Sequence, residues 1–213
     1  MRLVSLLILL LCALPGLLLA ADNPEPLRHL QTRWAEIRYQ LPEAQQEAAF
    51  ARLSEEAAAS VKAAPQSAEL LTWQGIILST YAGAKGGLGA LGIAKRARSS
   101  FEQAIAANPR ALDGSAYTSL GTLYYQVPGW PVGFGDDEQA EVLLRKALAI
   151  NPQGIDANYF YADYLLRNDR PEEALAALQQ ALKAAPRPGR ELADQGRRGE
   201  IAVLLEKVRA ELD

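Results

Sequence analysis

Apolar residues recur along most of the chain at intervals of three and four, the period of helices that bury one face. Leu30, Trp34, Ile37 and Leu41 fall on one face of a helix predicted over Leu27 to Leu41. Pro42 then opens a second helix, Glu43 to Ala63, since proline suits a first turn, where its missing N–H is not needed. Three further helices are expected over Glu69 to Tyr81, Ser115 to Tyr125 and Asp156 to Leu166, each followed by an alanine-rich partner. A last helix is expected over Glu191 to Leu212, with Ile201, Leu204 and Leu205 on its apolar stripe. Few β-branched runs interrupt this pattern, so the fold class is all-α.

The alanine-rich helices repeat one another. Ala97, Phe101 and Ala104 precede Pro109; Ala140, Leu144 and Ala147 precede Pro152; Ala174, Leu178 and Ala181 precede Pro186, at identical offsets. Positions four and three apart share a helix face, so two small residues admit a neighbouring helix and the larger one fills the gap between them. The following proline cannot continue the helix. In the preceding helices, Gly75, Gly121 and Ala162 stand among large apolar residues. A glycine inside a helix costs about 1 kcal/mol against alanine, so its recurrence argues for close helix contact.

This pattern resembles the tetratricopeptide repeat, a helix–turn–helix unit of about 34 residues. The third unit fits best: Pro152 to Pro186 spans 34 residues, and Ala162 to Ala174 has the family's spacing of 12. In the first two units the corresponding spacings, Gly75 to Ala97 and Gly121 to Ala140, are 22 and 19 residues, so inserted loops are expected at 82–95 and 126–137. The resemblance implies an α-solenoid of antiparallel helix pairs: an N-terminal hairpin at 21–67, three repeats at 68–186 and a capping helix at 187–213.

The second insertion, Gln126 to Asp137, carries two prolines and three glycines and cannot be helical, while Asp136 and Asp137 suit the start of the next helix. Its aromatics, Trp130 and Phe134, either tuck back over the helix pair or form an aromatic wall on a binding groove. From Tyr124 to Pro152 the chain is similar to tetratricopeptide proteins related to the accessory T component of TRAP-type transporters, which implies a periplasmic, all-helical binding protein. The first insertion contains a GxGxxG string at Gly87, Gly89 and Gly92. A dinucleotide fingerprint would need a strand before it, and here a repeat helix precedes it. A flexible small-residue lid, or a segment packed close to another backbone, is expected, with phosphate held near Lys85, Lys95 or Arg96 as the alternative.

Composition narrows the function. The 213 residues carry 22 Lys and Arg against 25 Asp and Glu, a net charge of −3, too mild and mixed for a nucleic-acid surface. One His and one Cys cannot build a His/Cys zinc site in one chain, and no cofactor fingerprint stands in its proper context. His29 has no obvious acid partner or nucleophile by sequence and reads as a surface or boundary residue. Arg2, the apolar run Leu3 to Leu19 and the small residues Ala20 and Ala21 read as a secretory signal at 1–20, placing the protein in the periplasm or outside the cell. Cleavage would give a mature start at Ala21; an uncleaved anchor would be the chain's one membrane contact. Leu11 precedes Cys12 where a lipoprotein signal needs a small residue, which argues against lipidation.

In the resembling family the first helices of the repeats line a concave groove. Here that face offers Thr118, Thr122 and Tyr125, then Tyr159 and Asp163, with Asp156 alongside. Such a surface suits hydrogen bonding to an extended peptide or a polar ligand. Arg187, Arg190, Arg197 and Arg198 follow the last repeat, either as a solvated run or as a surface for an acidic partner or anionic head group. With no nucleophile–base pair and no metal cluster, the expected role is a non-catalytic scaffold that holds a protein or peptide in the groove. The alternative is a transporter-accessory protein holding a small molecule between the groove and the Trp130 loop. Exposed end repeats leave self-association open.

Overall fold

The computed structural model describes residues 24–212; the signal segment expected at 1–20 lies outside them. Helices α1 (Pro24–Gln40) and α2 (Glu43–Ala63) form a hairpin. Three pairs follow: α3 (Ala68–Lys85) with α4 (Gly87–Ala107), α5 (Ser115–Gln126) with α6 (Asp137–Ile150), and α7 (Ile155–Arg167) with α8 (Pro171–Leu182). Helix α9 (Glu191–Leu212) ends the row. There is no β-strand among the described residues; Gly129 and Gly135 make a single bridge within a loop.

Helix ends follow local chemistry. Ser67 caps α3 by accepting from the Leu70 N–H, and Asp136 caps α6 by accepting from the Gln139 N–H at 2.9 Å. At Asn108, before Pro109, the backbone turns extended (φ −156, ψ 102), as the residue before a proline prefers, and α4 stops there.

All nine residues of the repeated Ala–Phe/Leu–Ala triplets are fully buried. The small residues opposite them are needed for the approach of the paired helices. A Cβ on Gly75 would lie 2.4 Å from the Phe101 ring, and one on Gly121 would lie 2.9 Å from Leu144 Cγ and 3.1 Å from the Ala140 carbonyl oxygen. Ala162 holds the equivalent place in the third pair and is fully buried in the same cluster as Leu178.

The loop expected at 82–95 is helical instead. The extra residues lengthen both helices, to 18 in α3 and 21 in α4, and the turn between them is reduced to Gly86. Gly86 holds φ +62, a left-handed value that favours glycine. Ile93 and Ala94 are buried against the α3 side, and this packing outweighs the poor helix propensity of the glycines. The GxGxxG string therefore forms neither a lid nor a phosphate-binding turn after a strand, and Lys85 is engaged with Glu47 at 3.0 Å.

Between α5 and α6 the chain does leave the helix. The loop folds back on itself: the Asp136 N–H donates to the Tyr124 carbonyl at 3.0 Å and the Gly135 N–H to the Pro128 carbonyl at 2.9 Å. A Cβ on Gly135 would lie 1.8 Å from the Val127 carbonyl oxygen, so only glycine fits.

The row of helices curls until its ends meet. Tyr39 near the end of α1 packs against Gly196 of α9, where a Cβ would lie 2.4 Å from the ring. Arg38 Nη2 donates to Glu200 Oε1 at 2.8 Å across the same junction.

Candidate functional site

Because the first helix of each pair faces inward and α9 swings back onto α1, the inner faces of α1, α3, α5, α7 and α9 surround one cavity of about 690 Å³. Each wall follows from helical spacing. Trp73, Ile76, Ser79 and Thr80 come from α3, Ser115, Thr118 and Thr122 from α5, and Asp156, Tyr159 and Asp163 from α7. Helix α1 adds Trp34, Arg38 and Tyr39, and the segment into α9 adds Arg187, Arg190, Arg197 and Glu200. The lining also includes Glu43, Gly83 and Asp113, all exposed. Asp113 lies in a left-handed turn with Leu112 (φ 55 and 48) and is exposed. A second hollow of about 470 Å³ shares Arg38, Tyr39, Tyr159, Asp163 and Glu200 and continues to Val203 and Lys207.

One ionic chain braces the walls. Asp156 accepts from Arg187 and from Arg197, each at 2.7 Å. Arg187 also holds Asp194, Arg197 holds Glu200, and Glu200 takes Arg38. Burial alone would raise the Asp156 carboxyl, but the two guanidiniums hold it well below the usual carboxylate range. Burial likewise works against the charge on Arg197, and Asp156 and Glu200 keep it protonated. The Arg197 guanidinium lies 4.4 Å from the Tyr159 ring centroid and 4.5 Å from that of Phe160. Burial pushes the Tyr39 hydroxyl up to about 12, against the opposing pull of Arg197.

The expected groove residues divide. Thr118, Thr122, Tyr159 and Asp163 line the cavity, although both threonines are largely covered and Thr122 Oγ1 donates back to the Thr118 carbonyl at 2.9 Å. Tyr125 is not on the wall. It is buried in the core, its hydroxyl donates to Asp163 Oδ2 at 2.8 Å, and burial raises it well above the ordinary tyrosine value. It positions Asp163 from behind.

Neither loop aromatic lines the cavity. Phe134 tucks back, edge-on to Tyr124 at 5.8 Å with Arg98 over its face at 4.8 Å. Trp130 points away and is 89% exposed. A ligand held between the groove and the Trp130 loop is therefore not the arrangement. The tail arginines are not simply solvated either: Arg197 is buried, and Arg187 and Arg190 are half-buried on the cavity wall. His29 pairs with Glu56 at 2.8 Å on the outside. Sequence reasoning missed Trp34, Arg38 and Tyr39 as site residues, because Arg38 and Tyr39 meet Glu200 more than 160 positions later, and Trp34 meets Thr80 and Trp73 of α3.

Among the described residues no cluster of His, Cys, Asp or Glu could hold a metal ion, and no helix is long and apolar enough to cross a membrane. The geometry offers binding groups on rigid helices: aromatic side chains, hydroxyls and paired charges around a solvent-accessible hollow.

Residues 133–194 match the tetratricopeptide repeat family model. No curated protein matches the sequence. Among solved structures, the chain is similar to a thermophilic TPR protein of Thermus thermophilus, at 20% identity and TM-score 0.57, over 85% of this chain and 98% of that one. Two structures of MamA align at 17% and 16% identity with TM-scores of 0.45 and 0.41, covering 78% and 88% of this chain and 91% and 92% of theirs. Residues 133–194 thus carry a tetratricopeptide repeat, and the buried small-residue triplets extend the same packing to the earlier pairs, giving the chain a tetratricopeptide-like solenoid fold.

Proposed function

We propose that this chain is a periplasmic or secreted binding protein, non-catalytic, that holds its partner on the concave side of the repeats. Tetratricopeptide folds serve broadly as interaction scaffolds, and stacked helix pairs create a continuous inner binding surface. The single observation that carries the reading is the convergence of Tyr159, Asp163, Trp73, Arg187, Arg190 and Arg197 on one cavity. The apolar run Leu3 to Leu19 supports export. A protein partner would insert a short segment or loop tip, because a hollow of this size cannot take a long extended peptide. Replacing both Tyr159 and Asp163 by alanine is expected to lower cross-linked capture of an envelope protein in intact cells at least fivefold. Unchanged capture with correct folding would reject the concave face as the partner site.

A second reading is favoured by the junction of α1 with α9. It turns an open groove into a hollow of about 690 Å³, within the range of roughly 300–1,000 Å³ typical of small-molecule sites. In this reading the protein carries a small ligand, in keeping with the resemblance of Tyr124 to Pro152 to transporter-accessory proteins. A small ligand that binds only the folded state raises thermal stability. No thermal shift across a broad metabolite panel would count against it.

A further inference from the structure

Two side-chain polar atoms among the described residues are buried without a hydrogen-bond partner, Ser79 Oγ and Arg190 Nε. Both residues stand on the wall of the central cavity. Buried polar atoms in folded proteins almost always find a partner, so two orphans on one wall mark it as incompletely satisfied.

The charge pattern says what kind. Arg38, Arg187 and Arg197 each meet a carboxylate within 2.8 Å. Arg190 has no carboxylate within ion-pair distance among the described residues, and its guanidinium instead lies 4.8 Å from the Trp73 ring centroid. Burial, with the nearby Arg187 adding to it, holds that guanidinium below its ordinary value. The wall carboxylates that lack an arginine, Glu43 and Asp113, are exposed, and water screens them. The unmet charge inside the cavity is therefore positive. Beside it lies an apolar strip: Ile76 is half-buried on the wall, and Trp73, three positions earlier on the same face of α3, is largely covered, with the Arg190 guanidinium over its ring.

We propose that the cavity binds a small amphipathic carboxylate, its head group on Arg190 and its apolar body along Trp73 and Ile76. An ionised carboxylate matches the planar guanidinium in two parallel hydrogen bonds and neutralises a desolvated cation. The proposal rests on reading the cavity as a small-ligand site.

The test uses the purified protein carrying Trp130→Phe. This removes the exposed third tryptophan and leaves Trp34 and Trp73, both on the cavity wall, as reporters. Hexanoate and its neutral isostere hexanamide are titrated, followed by indole fluorescence and by melting temperature. Hexanoate is expected to change the fluorescence and raise the melting temperature, with hexanamide at least tenfold weaker. In the same background, Arg190→Gln is expected to keep its helical circular dichroism and melting temperature while losing the acid-over-amide preference; Arg190→Lys keeps part of it. Equal binding of acid and amide would overturn the anion assignment and leave the cavity reading standing. No response from Trp34 and Trp73 to either compound would overturn both. Unchanged hexanoate affinity in folded Arg190→Gln would overturn the role of Arg190.

Discussion

Asp156 accepts from Arg187 and Arg197 together, and those arginines sit on the segment that brings α9 back across the cavity. Its lowered folded value has a definite consequence for stability. An aspartate in the unfolded chain titrates near 3.9, so as pH falls the unfolded chain takes up the proton first. The stabilisation from Asp156 is thus full above about pH 5, and it is lost as pH falls through the folded value. Asp156→Asn leaves Arg187 with Asp194 and Arg197 with Glu200, and the Asp156 side chain is 35% exposed. The loss at pH 7 should therefore be about 2 kcal/mol, below that of breaking a fully buried pair. Urea denaturation at a series of pH values should show the variant's stability changing less than the parent's between about pH 5 and 2. Parallel curves would assign the acid sensitivity to other carboxylates.

Within the helices, the same substitution should have opposite signs at different glycines. Gly121 lies against Leu144 and the Ala140 carbonyl, and the latter, being backbone, cannot move aside cheaply. Gly121→Ala gains about 1 kcal/mol of helix propensity but overpacks the α5–α6 contact, for a net loss of about 1–2 kcal/mol. Gly92, inside α4, has nothing within 4 Å of where its Cβ would stand. Gly92→Ala should therefore stabilise by about 0.5–1 kcal/mol. Chemical denaturation of the two variants decides the matter; a gain at Gly121 would mean that the pair can spread without cost. The resulting contrast also explains the 82–95 segment, where glycines that suggest a loop are carried as a helix by the apolar positions around them.

At the scale of the whole molecule, the junction of α1 with α9 converts a curved row of helix pairs into a ring around a hollow. Its tightest point is Gly196 under the Tyr39 ring, flanked by the Arg38–Glu200 ion pair. Gly196→Leu should part the two helices while each keeps its own packing. The expected result is a larger radius of gyration by small-angle X-ray scattering, with helical circular dichroism retained and stability lower by about 1–3 kcal/mol. An unchanged radius would show that the ring is held elsewhere. Closure of this kind limits the occupant to something compact and separates this hollow from an open peptide groove.

Outside the 82–95 segment, the amino-acid order determined the helices, their pairing and the repeat, because each shows in short local patterns: the Ala–Phe/Leu–Ala triplets, the prolines a few positions after them and the glycines one helix earlier that admit them. It also placed Thr118, Thr122, Tyr159 and Asp163 on one inward face. Tertiary structure alone decided that Tyr125 stands behind Asp163, that Phe134 folds inward while Trp130 does not, and that Arg187, Arg190 and Arg197 line the cavity while Arg198 donates to the Leu182 and Ala184 carbonyls instead. Those outcomes depend on the angle at which successive pairs stack, which brings α1 to α9 across more than 160 positions. Small differences in packing at every interface add up to that angle, and no short stretch of sequence encodes it.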